Sequence, residues 1–247
     1  WWYYKSIASE VSGTTLQYPV YEDGDTFSYD FDGLKAMIDD VRPKILLVAS
    51  PNNPTGNNLD RKQIEKVLSN FNGIVVIDEA YSDFSSERPF RLDIEEWPNI
   101  IVLNTMSKAW GCAAIRLGMA YASKDIIALF NKVKYPYNIN LLTQQKAKEA
   151  LRAKIDVEKW VTVLLQERGR MMAAFTELPI CEKVYPSDSN FFLAKMTDAQ
   201  GIYDYLVEKG IIVRNRTRVA LCNNCLRITI GSKTENQELL AALRRLI

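Results

Sequence analysis

An α/β fold, with a mostly parallel sheet flanked by helices and a smaller α+β domain at the C-terminal end, is predicted by three observations. Short apolar runs alternate with amphipathic ones, polar clusters close successive apolar runs, and the periodicity changes beyond about residue 141. Alternating strands and helices imply right-handed crossovers and parallel pairing. Polar clusters at strand ends line a crevice in an open α/β sheet.

The elements follow from the periodicity. A helix is expected over 2–11, stopping at Gly13, then an extended stretch over 14–20. Helices are expected over 32–40 and 61–70, and strands over 44–49, 73–78, 99–104 and 117–122. Long helical patterns cover 141–151 and 157–178, the second interrupted by Gly169 and long enough to bridge two lobes. Short strands at 182–185, 190–195, 211–214 and 226–230, with helices at 199–209 and 234–247, complete the smaller domain. The expected division is 1–145 for the large domain and 146–247 for the linking helices and small domain.

A chain of 247 residues with 47% hydrophobic content can bury a sizeable core. Lys plus Arg (31) nearly balances Asp plus Glu (30), so no bulk field favours nucleic acid or an anionic membrane. Small-molecule chemistry is the default. No apolar stretch approaches the roughly 20 residues of a membrane span, and the first residues lack a signal peptide's pattern, so a cytoplasmic protein is expected. The four cysteines do not make a disulfide framework. Cys222 and Cys225 form a lone CxxC in a chain without histidine, which offers no obvious four-ligand zinc site, and reads as a loop entering a strand.

Three clusters carry the chemistry: Ser50-Pro51-Asn52-Asn53-Pro54-Thr55-Gly56, Asp78-Glu79-Ala80-Tyr81 and Asn104-Thr105-Met106-Ser107-Lys108. A lysine among hydroxyls is a candidate Schiff-base nucleophile, although most lysines after strands are simply solvated. Pyridoxal phosphate needs an amine for its aldehyde, a carboxylate beside its ring nitrogen, donors to its phenolate oxygen and a phosphate clamp. The clusters contain a candidate for each.

With Arg116-Leu117-Gly118 added, this set resembles the fold type I pyridoxal-phosphate-dependent aminotransferases. Ile211-Ile212-Val213-Arg214 and Leu226-Arg227-Ile228-Thr229-Ile230-Gly231 resemble the histidinol-phosphate aminotransferases among them. The resemblance implies catalytic roles for Lys108, Asp78 and Tyr81, with Lys108 bonded to the cofactor and moving the substrate proton. It implies that Asp78 pairs with the pyridine nitrogen and that Asn53 and Tyr81 donate to the phenolate oxygen. Thr105, Ser107 and Arg116 would hold the cofactor phosphate. Trp2 would stack on the ring, with core packing the competing reading.

For substrates, the resemblance implies Arg227 on the carboxylate, Arg214 as a second anion contact and Asn190 beside the substrate. Arg216 and Arg218 are expected to be solvated. Tyr137, in Tyr135-Pro136-Tyr137-Asn138, would reach the partner's site in a homodimer, or lie in an ordinary loop. The implied reaction is transamination between histidinol phosphate and 2-oxoglutarate, giving imidazole acetol phosphate and glutamate, in histidine biosynthesis. Another class I/II aminotransferase acting on aromatic amino acids, a phosphothreonine decarboxylase and a non-catalytic cofactor-binding module remain alternatives. Against the family pattern, the chain starts after a glycine-containing phosphate loop at a helix start, so an N-terminally incomplete large domain is expected.

Overall fold

The computed structural model describes residues 3–18 and 20–246; the expected stacking residue Trp2 lies outside them. The chain runs α1 (Tyr3–Glu10), β1 (Val20–Asp23), β2 (Thr26–Tyr29), α2 (Phe31–Val41), β3 (Ile45–Ala49), α3 (Arg61–Asn70), β4 (Ile74–Asp78), β5 (Ile100–Thr105) and β6 (Gly118–Ala122). It continues through α4 (Lys124–Val133), α5 (Leu141–Arg152), α6 (Lys154–Thr176), β7 (Cys181–Val184), β8 (Phe191–Met196), α7 (Ala199–Glu208), β9 (Arg214–Asn215), β10 (Cys225–Thr229) and α8 (Lys233–Arg244).

The first of two four-stranded sheets has the order β3-β4-β5-β6. Strands β3, β4 and β5 are parallel, and β6 returns antiparallel to β5, pairing Thr105 with Gly118. Parallel strands covered on both faces read as unbroken apolar runs, as Ile74-Val75-Val76-Ile77 does. Helix α3 covers this sheet because Ile64 and Leu68, four residues apart, fall on one face beside Val75, Ile77 and Ile100. Its start is fixed by Asp60, whose carboxylate accepts from the Gln63 N–H at 3.0 Å.

The second sheet, β7-β8-β10-β9, is antiparallel throughout. One face, with Phe192, Ala194, Leu226 and Ile228, is buried under α6, α7 and α8 through Met171, Phe175, Leu206 and Leu239. Phe175 meets Phe192 edge-on at 5.0 Å between centroids. Helix α8 begins with a capping box, Ser232 accepting from the Glu235 N–H and Glu235 from the Ser232 N–H. The two long helical patterns of the sequence are α5 and α6.

Among the described residues of the extended stretch over 14–20, only Val20 belongs to a strand; it opens the β1–β2 hairpin turned at Gly24 with φ +55°. Two local expectations are corrected and one helix is added. The strand expected over 211–214 pairs only from Arg214. Ile211 instead donates its N–H to the Leu206 carbonyl at 2.8 Å, closing the end of α7. Helix α4 is not among the expected helices although the sequence carries its signal: Ile126, Leu129, Phe130 and Val133 are spaced i, i+3, i+4 and i+7, a helical apolar stripe of which Leu129, Phe130 and Val133 are exposed. Arg216, expected in solvent, is half-buried.

Cys222 and Cys225 are buried with Phe27, Tyr185 and Leu193, and Cys225 opens β10 as expected. Burial pushes their thiols up to about 11 and about 12 respectively, which leaves both protonated and unreactive at neutral pH. Among the described residues no group of three or more candidate ligands is arranged to hold a metal ion. No helix of the described residues is long and apolar enough to cross a membrane.

Candidate active site

Strands β3, β4 and β5 run in parallel and release the chain at one edge of their sheet, so the three polar clusters come together there. Asp78 ends β4. Its Oδ1 accepts from the Ala80 N–H at 3.0 Å, which folds the chain back under the strand end, and its Oδ2 accepts from the Tyr4 hydroxyl on α1. Burial, reinforced by the Asp78 charge, raises the Tyr4 phenol far above its usual range, so it stays a donor. Neighbouring Glu79 points the other way, into the core, where it pairs with Arg91 at 3.0 Å.

Strand β5 ends at Thr105, whose N–H is held by the Asn104 carboxamide oxygen at 2.6 Å. The Thr105 hydroxyl accepts from the Ser107 N–H at 3.0 Å and lies 2.9 Å from the Ser107 hydroxyl. Lys108, next after this turn, is exposed. Its Nζ is 5.2 Å from the Tyr81 ring centroid, over a buried aromatic face, and it makes no ion pair with the described residues. Tyr81 packs edge-on against Phe191 of β8, with centroids 5.1 Å apart.

The loop after β3 is fixed by a chain of polar contacts. Asn52 donates to Thr55 at 2.8 Å, Thr55 to Asn57 at 2.6 Å, and Asn57 to the Phe27 carbonyl at 2.8 Å. That loop also joins the second sheet. Gly56 accepts from the Asp188 N–H at 2.7 Å, and Asp188 accepts from the Asn58 N–H at 3.1 Å. Gly56 needs its residue type twice over: its φ is +85°, and an added Cβ would collide with the Ser187 hydroxyl.

Arg227 of β10 closes the arrangement. Its Nη1 donates to Asn53 Oδ1 at 2.8 Å, and its guanidinium carbon stands 4.8 Å from the Phe191 centroid. Burial holds this guanidinium below its usual range, yet it remains protonated. Lys108, Tyr81, Phe191, Arg227 and Asn53 thus form one continuous set drawn from both sheets.

Of the other expected site residues, Arg214 is exposed and directly opposite Arg227 in the strand register. Asn190 is half-buried, and its backbone carbonyl accepts from the Ile230 N–H at 2.9 Å. Arg116 takes a left-handed conformation (φ 54°) after a short 3-10 turn, and its Nη1 donates to the Ala113 carbonyl at 2.9 Å rather than toward Thr105 or Ser107. Its neighbour Leu117 does lie along that turn, accepting from the Met106 N–H at 3.3 Å. Tyr137 is 99% exposed, at the tip of the segment between α4 and α5.

Sequence reasoning missed Tyr4, Phe191 and Arg216. Tyr4 is the second residue of α1, with no local pattern to mark it; Phe191 looks like any core residue of a strand. Arg216 carried a readable signal: it is two residues past Arg214, hence on the same face of an extended chain.

The model of "Aminotransferase class I and II" matches residues 1–244. The chain belongs to the class I and II aminotransferases. Among curated relatives, a protein of Bacteroides fragilis (strain YCH46) named histidinol-phosphate aminotransferase is 53% identical over 221 residues, covering 90% of the chain and 64% of that protein. The chain therefore spans less than two thirds of that relative's length. Among solved structures, the histidinol-phosphate aminotransferase of Clostridium acetobutylicum superposes with a TM-score of 0.89 at 22% identity, covering 98% of the chain and 74% of that one. That of Sinorhizobium meliloti, solved in complex with pyridoxal-5'-phosphate, gives a TM-score of 0.85 at 22% identity, with 99% and 68% covered. The likeness of this chain to both structures is one of fold.

Proposed function

We propose that the protein catalyses transamination between histidinol phosphate and 2-oxoglutarate with pyridoxal 5'-phosphate as cofactor. The observation that carries the proposal is the continuous contact from Lys108 through Tyr81 and Phe191 to Arg227 and Asn53, which joins an amine to an anion-binding group. Family membership and the name of the Bacteroides relative support the same reading.

The donor set fits the cofactor. Lys108 has an unpaired amine, Asp78 a carboxylate for a ring nitrogen, and Tyr81 and Asn53 donors for a phenolate oxygen. Thr105 and Ser107 have adjacent hydroxyls for a phosphate. When bound, pyridoxal phosphate supplies an electron sink at the amine-bearing carbon of the substrate.

The chain's own residues do the rest. Lys108 Nζ removes and returns the proton at that carbon. Asp78, with Tyr4 donating to it, is held in one orientation and favours a protonated ring nitrogen. Buried Tyr81 and Phe191 keep water from one side of the amine. Arg227 binds the substrate anion: a guanidinium fork accepts a carboxylate or a phosphate, so glutamate and histidinol phosphate would use one pocket in turn.

Arg214 and Asn190 are proposed as further substrate contacts, Arg116 as a phosphate contact after a side-chain rotation, and Tyr137 as a contact to the partner in a homodimer. The four free cysteines support a cytoplasmic location. The test is the rate of glutamate formation from 2-oxoglutarate by the full-length protein with histidinol phosphate or phenylalanine offered, set beside the rate of CO2 release from phosphothreonine. The proposal predicts clear preference for histidinol phosphate; preference for either comparator overturns it.

A further inference from the structure

Strand pairing puts three arginines on one face of the second sheet. Arg214 stands opposite Arg227 in the β9–β10 register, and the Arg216 N–H donates to the Cys225 carbonyl at 2.8 Å, two residues further along. Alternation places these three with Phe191 and Leu193, on the opposite side from the helix-covered Phe192, Leu226 and Ile228. This is the face that meets Tyr81, in the turn that follows β4.

Arg216 is half-buried, and its Nε is buried with no acceptor among the described residues; the Nε of Arg227 is in the same condition. The groups that act electrostatically on Arg216 are Arg214, Cys222 and Tyr81, and those on Arg227 are Tyr81, Arg216 and Arg214. None of them is a carboxylate. Burial, then Arg214, depresses the Arg216 guanidinium, but an arginine does not give up its proton in a protein. Arg227 uses Nη1 on Asn53, whereas the guanidiniums of Arg214 and Arg216 bond to no acceptor among the described residues. Buried cationic donors left unpaired are costly, so the balancing anion comes from outside the chain.

The geometry points to Arg216 as a substrate-contacting residue that, together with Arg227, receives the phosphomonoester end of the amino substrate and selects it over a singly charged carboxylate. A carboxylate fills one guanidinium fork, while a phosphomonoester dianion has three terminal oxygens and serves two. The identity of the amino substrate rests on the transamination reading above; the phosphate site does not.

The test uses Arg216→Gln in the full-length, cofactor-loaded protein, with two readouts. Calorimetric titration with inorganic phosphate should show affinity about 10- to 100-fold weaker than wild type, the scale of losing charge-assisted hydrogen bonds. KM for histidinol phosphate should rise by a similar factor with kcat held, and KM for glutamate should stay within about threefold. Unchanged phosphate affinity, or equal weakening toward both substrates, overturns the inference. If wild type does not turn over histidinol phosphate but its phosphate binding still depends on Arg216, the transamination reading fails and the anion site stands. Should the Gln variant not fold, Arg216→Lys keeps the charge and loses the fork: weaker phosphate binding supports the assignment and wild-type binding overturns it.

Discussion

Arg227 donates from Nη1 to Oδ1 of Asn53 at 2.8 Å, across 174 positions of sequence. One is a residue expected to bind substrate and the other a residue expected to bind cofactor, and they come from different sheets. With the proposed roles, this bond would join substrate and cofactor recognition mechanically. Arg227→Ala should lower kcat/KM for glutamate and for histidinol phosphate together, each by about 100-fold, as loss of one partner in a buried charged contact does. Steady-state kinetics with both substrates checks this, and loss confined to one would contradict the shared pocket.

Asp78 is held by two donors, the Ala80 N–H and the Tyr4 hydroxyl. In the proposed role, Asp78→Asn would remove the charge that favours a protonated ring nitrogen, so kcat should drop by about 100-fold or more while the fold persists. Tyr4→Phe leaves the charge and removes one donor, so kcat should drop only about 3- to 10-fold. Equal losses from the two variants would mean that Tyr4 does more than position Asp78.

Gly56 should resist substitution. Gly56→Ala combines a positive φ with a collision against Ser187, at the point where the loop after β3 meets the second sheet. The expected loss is about 2–3 kcal/mol of stability, read as a lower urea midpoint. An unchanged midpoint would show that the two sheets tolerate separation there.

Glu167 on α6 accepts from Arg170 at 2.6 Å and from Asn236 of α8 at 3.0 Å, and these bonds, that to Arg170 foremost, pull its carboxyl from the usual 4.5 to about 2. A depressed folded-state pKa stabilises fully above pH 4.5, and that stabilisation is lost as the pH falls toward 2. Since the ion pair is screened by solvent, it is worth on the order of 1 kcal/mol. Glu167→Gln should therefore lower thermal stability at pH 7 and match wild type near pH 2. A deficit equal at both pH values would assign the effect to packing instead.

The core of the fold was legible because its signals are local. Four apolar residues before Asp78 mark a central parallel strand, and Asp60 before an Ile64/Leu68 stripe marks α3, each without reference to distant chain. What could not be read depends on tertiary placement. Edge strand β9 shortens because the end of α7 takes the Ile211 N–H, and Arg216 is drawn from solvent by its register with Cys225. The same distinction holds in the site. Lys108, Asp78 and Asn53 could be proposed from sequence because they stand at or just past strand ends, while Tyr4 and Phe191 enter the candidate site only through contacts with partners 74 and about 110 residues away.

The visible absorption spectrum of the purified protein with pyridoxal phosphate, before and after histidinol phosphate, tests the central claim most directly. With Lys108 present, a visible band should form and shift into the near ultraviolet on adding the amino substrate; Lys108→Ala should give neither the same band nor turnover. A band and a substrate-dependent shift that are indifferent to Lys108 would contradict the account.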